Sequence, residues 1–385
     1  MISLPVVLVF LLYLPSSHDW IAAQRANKAS AASQNKRTEM SDRAKAGLRG
    51  PVMQCVEQWT MLAAYGQPEH EFASTTEYDP SGRTLSRLTK NPDGSELVMR
   101  YVYDEQHRLV KTTYGKLGEA MSEQTYSYDE RGRLTGIGAG HGSEGVRYEY
   151  DAEGRKTKIE PFAPLPPNTG RAWTWEGSEV SVAMPDNGTL TTLYNEQDQP
   201  TEAQVHDPQG RLVQRILRTY DEQGRMLGDR QEPVNLGVAL PQELQSHLNE
   251  AQQKAIGAFF GKMLLSGGSS FRYDDRGRLI EKRRSAGESS ETITAYSYNE
   301  HDDPIEERTT TLESPQVRIE YSIDEEGNLI PTTEPVASPP TTHVVRYSYQ
   351  YDVVGNWTEK ITNNRNGTDV AFTTSAIYRR KIAYY

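Results

Sequence analysis

The feature that most constrains this chain is a short motif, Tyr-Asp-x-x-Gly-Arg, that returns at a nearly fixed interval. Strong copies begin at Tyr78, Tyr103, Tyr128, Tyr150, Tyr220, Tyr273 and Tyr351, with weaker ones at Tyr194, His206, Tyr298 and Ile323. The starting positions 78, 103, 128 and 150 are separated by 25, 25 and 22 residues, and 273, 298, 323 and 351 by 25, 25 and 28. A repeat of this size is one supersecondary unit copied along the chain, and about 25 residues is one β-hairpin with its connection.

One copy shows why the chain reverses where it does. In Thr125-Tyr-Ser-Tyr-Asp-Glu-Arg-Gly-Arg-Leu-Thr135, Tyr126 and Tyr128 alternate with polar residues, the period-2 pattern of a half-buried strand. Asp129 can accept hydrogen bonds from the amides of the following turn, and Gly132 can take the positive φ that closes a type I turn with a G1 bulge. With residues 130–132 as the loop, Asp129 faces Arg133 and Tyr128 faces Leu134 across the strands. Tyrosine and leucine then share the packed face, aspartate and arginine the wetter one. Equivalent positions are Asp79 and Gly82, Asp104, Asp151 and Gly154, Asp221 and Gly224, Asp274 and Gly277, and Asp352 and Gly355. Repeated aspartates could suggest calcium ligands or paired catalytic carboxylates, but each recurs with the turn beside a neutralising arginine, so they read as structural. Asp352 departs from the pattern, with Asn356 where the arginine would stand.

The series at this spacing resembles the YD-repeat, or Rhs-repeat, family, and covers most of the chain from Tyr78 to Tyr351. The resemblance implies a spiralling sheet of stacked hairpins, which in large relatives closes into a shell around a toxin segment or forms an adhesion barrel. The tail from Tyr351 is similar to the end of short exported bacterial members. Some 22 strands at ~4.8 Å would run roughly 100 Å, and so long a twisted sheet must coil. The expected fold is therefore mainly β, with stacked antiparallel hairpins forming a curled or spiral sheet, a partial shell or an open barrel.

Composition fits a shallow sheet. Tyrosine (22) outnumbers phenylalanine (7), hydrophobic residues are 36% of the chain, and no deep dry core is expected. Residues 1–23 read as a secretory signal peptide with an apolar run at 4–14, too short to span a bilayer, so no integral span is expected after its removal. Residues 24–50 carry seven basic side chains against two acids and read as a flexible basic leader. Residues 51–385, the repeat array, retain a formal −15, which disfavours nucleic acid as a partner. The single cysteine, Cys55, permits no internal disulfide.

Two segments interrupt the period. Leu244, Leu248, Ala251, Ala255, Phe259 and Met263 recur at helical spacing, predicting an inserted helix at about 240–266. Trp173 and Trp175 fall on one side of a strand and form a candidate sugar-stacking pair. No GxSxG, Walker, HExxH or CxxC motif occurs, and no metal, cofactor or catalytic residue is assigned. The expected protein is a non-catalytic scaffold, secreted or held in the periplasm or cell envelope, binding a glycan, a cell-wall component or another protein. The alternative is a shell or chaperone-like component of a toxin-enclosing system.

Overall fold

The structure is a computed structural model that describes residues 41–63, 68–139, 145–161, 175, 187–234, 249, 251–252, 267–286, 290–313, 316–323, 329–336, 338–367 and 370–385. After a short helix α1 (Asp42–Lys45), the strands are β1 (Val52–Met61), β2 (His70–Tyr78), β3 (Thr84–Lys90), β4 (Glu96–Tyr103), β5 (Leu109–Lys116), β6 (Ser122–Tyr128), β7 (Leu134–Ala139) and β8 (Val146–Tyr150). There follow β9 (Lys156–Pro161), β10 (Thr189–Tyr194), β11 (Pro200–His206), β12 (Leu212–Tyr220), β13 (Met226–Pro233), β14 (Gly267–Tyr273) and β15 (Leu279–Ala286). The last are β16 (Ser290–Tyr298), β17 (Pro304–Glu313), β18 (Gln316–Ile323), β19 (Leu329–Val336), β20 (Thr341–Tyr351), β21 (Trp357–Asn366) and β22 (Thr373–Tyr384).

Each strand from β1 to β16 pairs antiparallel with its successor, β17 pairs with β20, and β20 to β22 continue the ladder. β22 then pairs with β1, from Val52 opposite Tyr384 to Met61 opposite Ala376. The sheet is therefore a closed barrel of 20 strands, with β18 and β19 set apart as a separate hairpin. This corrects the open, curled or spiral strip expected from sequence. Two free edges would each leave a row of unpaired amides and carbonyls, and pairing them with each other removes both liabilities at once. At ~4.8 Å per strand the perimeter is about 100 Å, roughly 30 Å across if circular.

The turn forms as its residues require. Tyr128 lies opposite Leu134 across a bulge, the Asp129 amide donates to the Arg133 carbonyl at 2.9 Å, and Gly132 has φ 78°. Copies that lack the glycine keep the same reversal with other residues in the left-handed region: His107 (φ 67°), Asp198 (φ 63°) and Asp302 (φ 61°), residue types that tolerate it better than most.

In an up-and-down barrel successive turns alternate between the two ends. The motif turns at 79–83, 104–108, 129–133, 151–155, 195–199, 221–225, 274–278, 299–303 and 352–356 all join an even-numbered strand to the next odd one, and so form a single rim. The copy at 207–211 joins β11 to β12 on the opposite rim.

Residues 41–50 correct the leader's expected boundary, because they are built into the motif rim. Ser41 caps α1, the Arg43 amide donates to the Gly82 carbonyl at 2.9 Å, and the Thr84 amide donates to Asp42 at 2.9 Å. Leu48 is buried with Val52, Cys55 and Tyr78. Burial pushes the Cys55 thiol up to about 11, foremost over its charged neighbours, so it is an inert part of this cluster. A second small cluster joins Met226, Phe271 and Leu279. The apolar packing is shallow, as the composition implies. Of the predicted helix at 240–266, only Asn249, Ala251 and Gln252 lie among the described residues.

Asn356 is the seam's clasp. It is 2% exposed; its Oδ1 accepts from the Arg49 amide at 2.7 Å, and its Nδ2 donates to the Arg49 carbonyl at 2.9 Å and the Tyr384 hydroxyl at 2.7 Å. Replacing it strands several polar groups, so Asn356→Ala is expected to lower stability by about 3 kcal/mol in urea titration. Hydrogen exchange in the same variant should show the β1–β22 amides opening before the others.

Candidate functional site

The motif side chains form a belt around one rim. Asp129 Oδ1 accepts from the amides of Arg131 (3.0 Å) and Arg133 (2.8 Å), and its Oδ2 accepts from Arg133 Nε at 2.7 Å. The same guanidinium lies 4.1 Å from the ring centroid of Tyr150, whose hydroxyl donates to the Leu134 carbonyl at 2.9 Å. Arg133 thus holds its own turn and stacks on the tyrosine of the next. The pattern repeats for Arg83 over Tyr103, Arg108 over Tyr128, Arg225 over Tyr273 and Arg278 over Tyr298. Lys156 over Tyr194 and the Tyr220 hydroxyl on the Pro200 carbonyl carry the belt through the middle. The Tyr351 hydroxyl donates to Asp303, that of Tyr384 to Asp352, and that of Tyr385 to the Tyr78 carbonyl, which completes the circle.

This geometry decides what the repeated aspartates do. At Asp79 burial pushes the carboxyl up, but hydrogen bonds from the Ser81 hydroxyl and the Arg83 amide and guanidinium outweigh it and hold the group at about 2. Asp129, Asp151 and Asp274 are likewise lowered. Asp352, without an arginine, accepts from the Val354 and Asn356 amides and the Tyr384 hydroxyl instead. The carboxylates are engaged in the turns, and among the described residues no group of three side chains could hold a metal ion.

Trp175 is 1% exposed, its Nε1 donates to Thr192 Oγ1 at 3.1 Å, and the Arg218 guanidinium lies 4.3 Å from its ring centroid. An indole face covered in this way cannot stack on a sugar, which corrects the paired-tryptophan platform; Trp173 lies outside the described residues.

Two features that the sequence did not single out have the character of sites. On the rim opposite the belt, where the connections at 162–188, 234–266 and 314–340 also emerge, Thr309, Thr311, Pro340, Thr341, Thr342, His343, Asn366 and Gly367 line a cleft of about 450 Å³. The second is Lys360, which is 6% exposed on β21 and lies opposite Tyr349 and Tyr378. Its amine is 4.0 Å from the Tyr378 ring centroid, 5.5 Å from that of Trp357 and 5.8 Å from that of Tyr347. Nearby, Arg380 Nε donates to Glu57 at 2.7 Å while its guanidinium lies 3.5 Å from the Trp357 centroid, and the Tyr347 hydroxyl donates to Glu307 at 2.9 Å. Burial first, then Arg380, pull the Lys360 amine down to about 8 against the opposing pull of Glu57, Glu307 and Asp303. Strand alternation alone could place Lys360 on the tyrosine face. Its burial needs β20 and β22 packed on either side.

A lysine lowered from 10.5 to about 8 holds fewer protons folded than unfolded, so stability rises with pH across that interval, by roughly 3 kcal/mol at about 1.36 kcal/mol per pH unit. The unfolding midpoint in urea should climb from about pH 8 to 9, above which the raised Cys55 thiol, ionising more readily unfolded, opposes it, and Lys360→Met should abolish the climb and raise stability at pH 7. The lowered aspartates give a slope of the same sign at acid pH. Their contribution is complete above the unfolded value near 4 and fades as pH falls towards 2, so acid unfolding should fall in that window.

Residues 128–160 match the family model of the RHS Repeat. Among solved structures, the chain is similar to a porin-like protein from Bacteroides uniformis, at 11% identity and a TM-score of 0.30 over 87% of this chain and 99% of that one. It is also similar to a DUF1329 family protein from Desulfovibrio piger, at 9% identity and a TM-score of 0.14 over 56% of this chain and 85% of that one. The matched stretch begins at Tyr128, holds the turns at 129–133 and 151–155, and includes the stack of Arg133 on Tyr150. Residues 128–160 thus form a unit of the RHS-repeat, or YD-repeat, type, and the same turn chemistry recurs on either side of it.

Proposed function

We propose that this protein is a non-catalytic, exported scaffold of the cell envelope or medium, which binds a glycan, a cell-wall component or another protein at the rim opposite the belt. The asymmetry of the two rims carries this reading. One is locked turn to turn by repeated arginine, aspartate and tyrosine contacts, whereas the other bears the long connections and a cleft whose threonine hydroxyls, imidazole and amide suit a polar, hydroxyl-rich ligand. Its volume is that of a small-molecule site.

The exposed strand faces support a barrel that meets water. Glu71, Glu77, Arg100, Glu123, Arg147, Glu149, Arg379 and Lys381 are exposed on them, whereas a barrel spanning a membrane turns an apolar band about 25 Å tall towards lipid. Closure of the sheet favours a second reading, a shell component that encloses a polypeptide, since a closed barrel about 30 Å across surrounds a space that an open strip does not.

Titration of the purified protein with cell-wall glycan fragments should give saturable binding. Thr342→Trp, which fills the cleft, should weaken it at least tenfold with an unchanged melting temperature. Absence of binding to any fragment, together with a stoichiometric protein recovered from native envelope and protected from protease, would overturn the surface reading in favour of the shell.

A further inference from the structure

We infer that Lys360 is a capture site for small aldehydes, its amine adding to the carbonyl carbon and holding the compound as an imine among Trp357, Tyr347 and Tyr378. The side chain is 6% exposed and is ringed by three aromatic groups, with the amine 4.0 Å from the Tyr378 centroid, yet it makes no hydrogen bond or ion pair with any described residue. The nearby charged groups are committed elsewhere: Arg380 to Glu57, the Tyr347 hydroxyl to Glu307 and the Tyr351 hydroxyl to Asp303. A buried amine left without such a partner is costly as an ammonium ion.

Imine formation relieves that cost. The ammonium first releases its proton to solvent. The freed lone pair attacks the carbonyl carbon, the C=O π pair moves to oxygen, and a proton passes from nitrogen to that oxygen to give the carbinolamine. Loss of water leaves a neutral imine, which suits the aromatic surroundings better than the cation it replaces. An amine titrating at about 8 also has a far larger neutral fraction at pH 7 than an exposed lysine near 10.4.

The test uses the full folded chain, propionaldehyde as probe and cyanoborohydride to reduce the imine to a stable secondary amine, followed by peptide mass spectrometry. At pH 7 Lys360 should be alkylated more than tenfold faster than the exposed Lys90 and Lys381, with a pH dependence centred near 8. The preference should vanish in urea-unfolded protein. Lys360→Met, checked by circular dichroism for an intact barrel, should lose the fast-reacting site alone. If Lys360 reacts no faster than Lys90 or Lys381, or keeps its preference after unfolding, the inference is overturned.

Discussion

The arginine of each motif turn is the interaction on which the barrel depends. Arg133 closes its own turn through Asp129 and at the same time lies on the ring of Tyr150, the tyrosine that begins the next turn on that rim. A single planar guanidinium can do both, because its edge donates hydrogen bonds while its face stacks. A lone surface ion pair contributes little, and a lone hairpin is barely stable in water. Coupling each pair to the neighbouring ring turns local turns into a continuous belt, which compensates for the scarcity of deep apolar core.

Closure makes the belt circular. The last motif turn would end the series, but there Asn356 stands where arginine is usual, and its amide pairs with the backbone of Arg49 as a strand would. Arg49 in turn donates to the carbonyls of Gly355 and His301, and Tyr385 reaches Tyr78. The departure from the pattern at Asn356 is therefore the adaptation that joins the two ends of the array. Residues 41–50 belong to the same device, although their basic, Ala-rich and Ser-rich composition reads as a flexible segment; their order comes from contacts with residues some 30 to 300 positions away.

The belt and the buried amine differ in what holds them. Asp79 and its equivalents are satisfied by residues two and four positions ahead, so each turn carries its own electrostatics wherever it is placed. Lys360 owes its environment to three strands and to a seam between the first and last of the chain. Local satisfaction makes the rim robust, whereas the cost of an unpaired buried cation is supported by the whole closed sheet.

The sequence by itself determined the hairpin, its turn, its register and the number of times it is repeated, because these depend on residues within a few positions of one another: Asp129, Gly132 and Arg133 fold the same way in any context that pairs their strands. It also carried the family resemblance, which rests on those same residues. Closure of the sheet, the alignment of nine turns on one rim, the burial of Trp175 and the isolation of Lys360 were decided only by the tertiary structure. Each requires a partner distant in the chain: β22 for β1, Arg218 and Thr192 for Trp175, and Tyr347 and Tyr378 for Lys360. No local periodicity records such a partner, since strand alternation says which face a side chain occupies but not what the opposite strand brings to it.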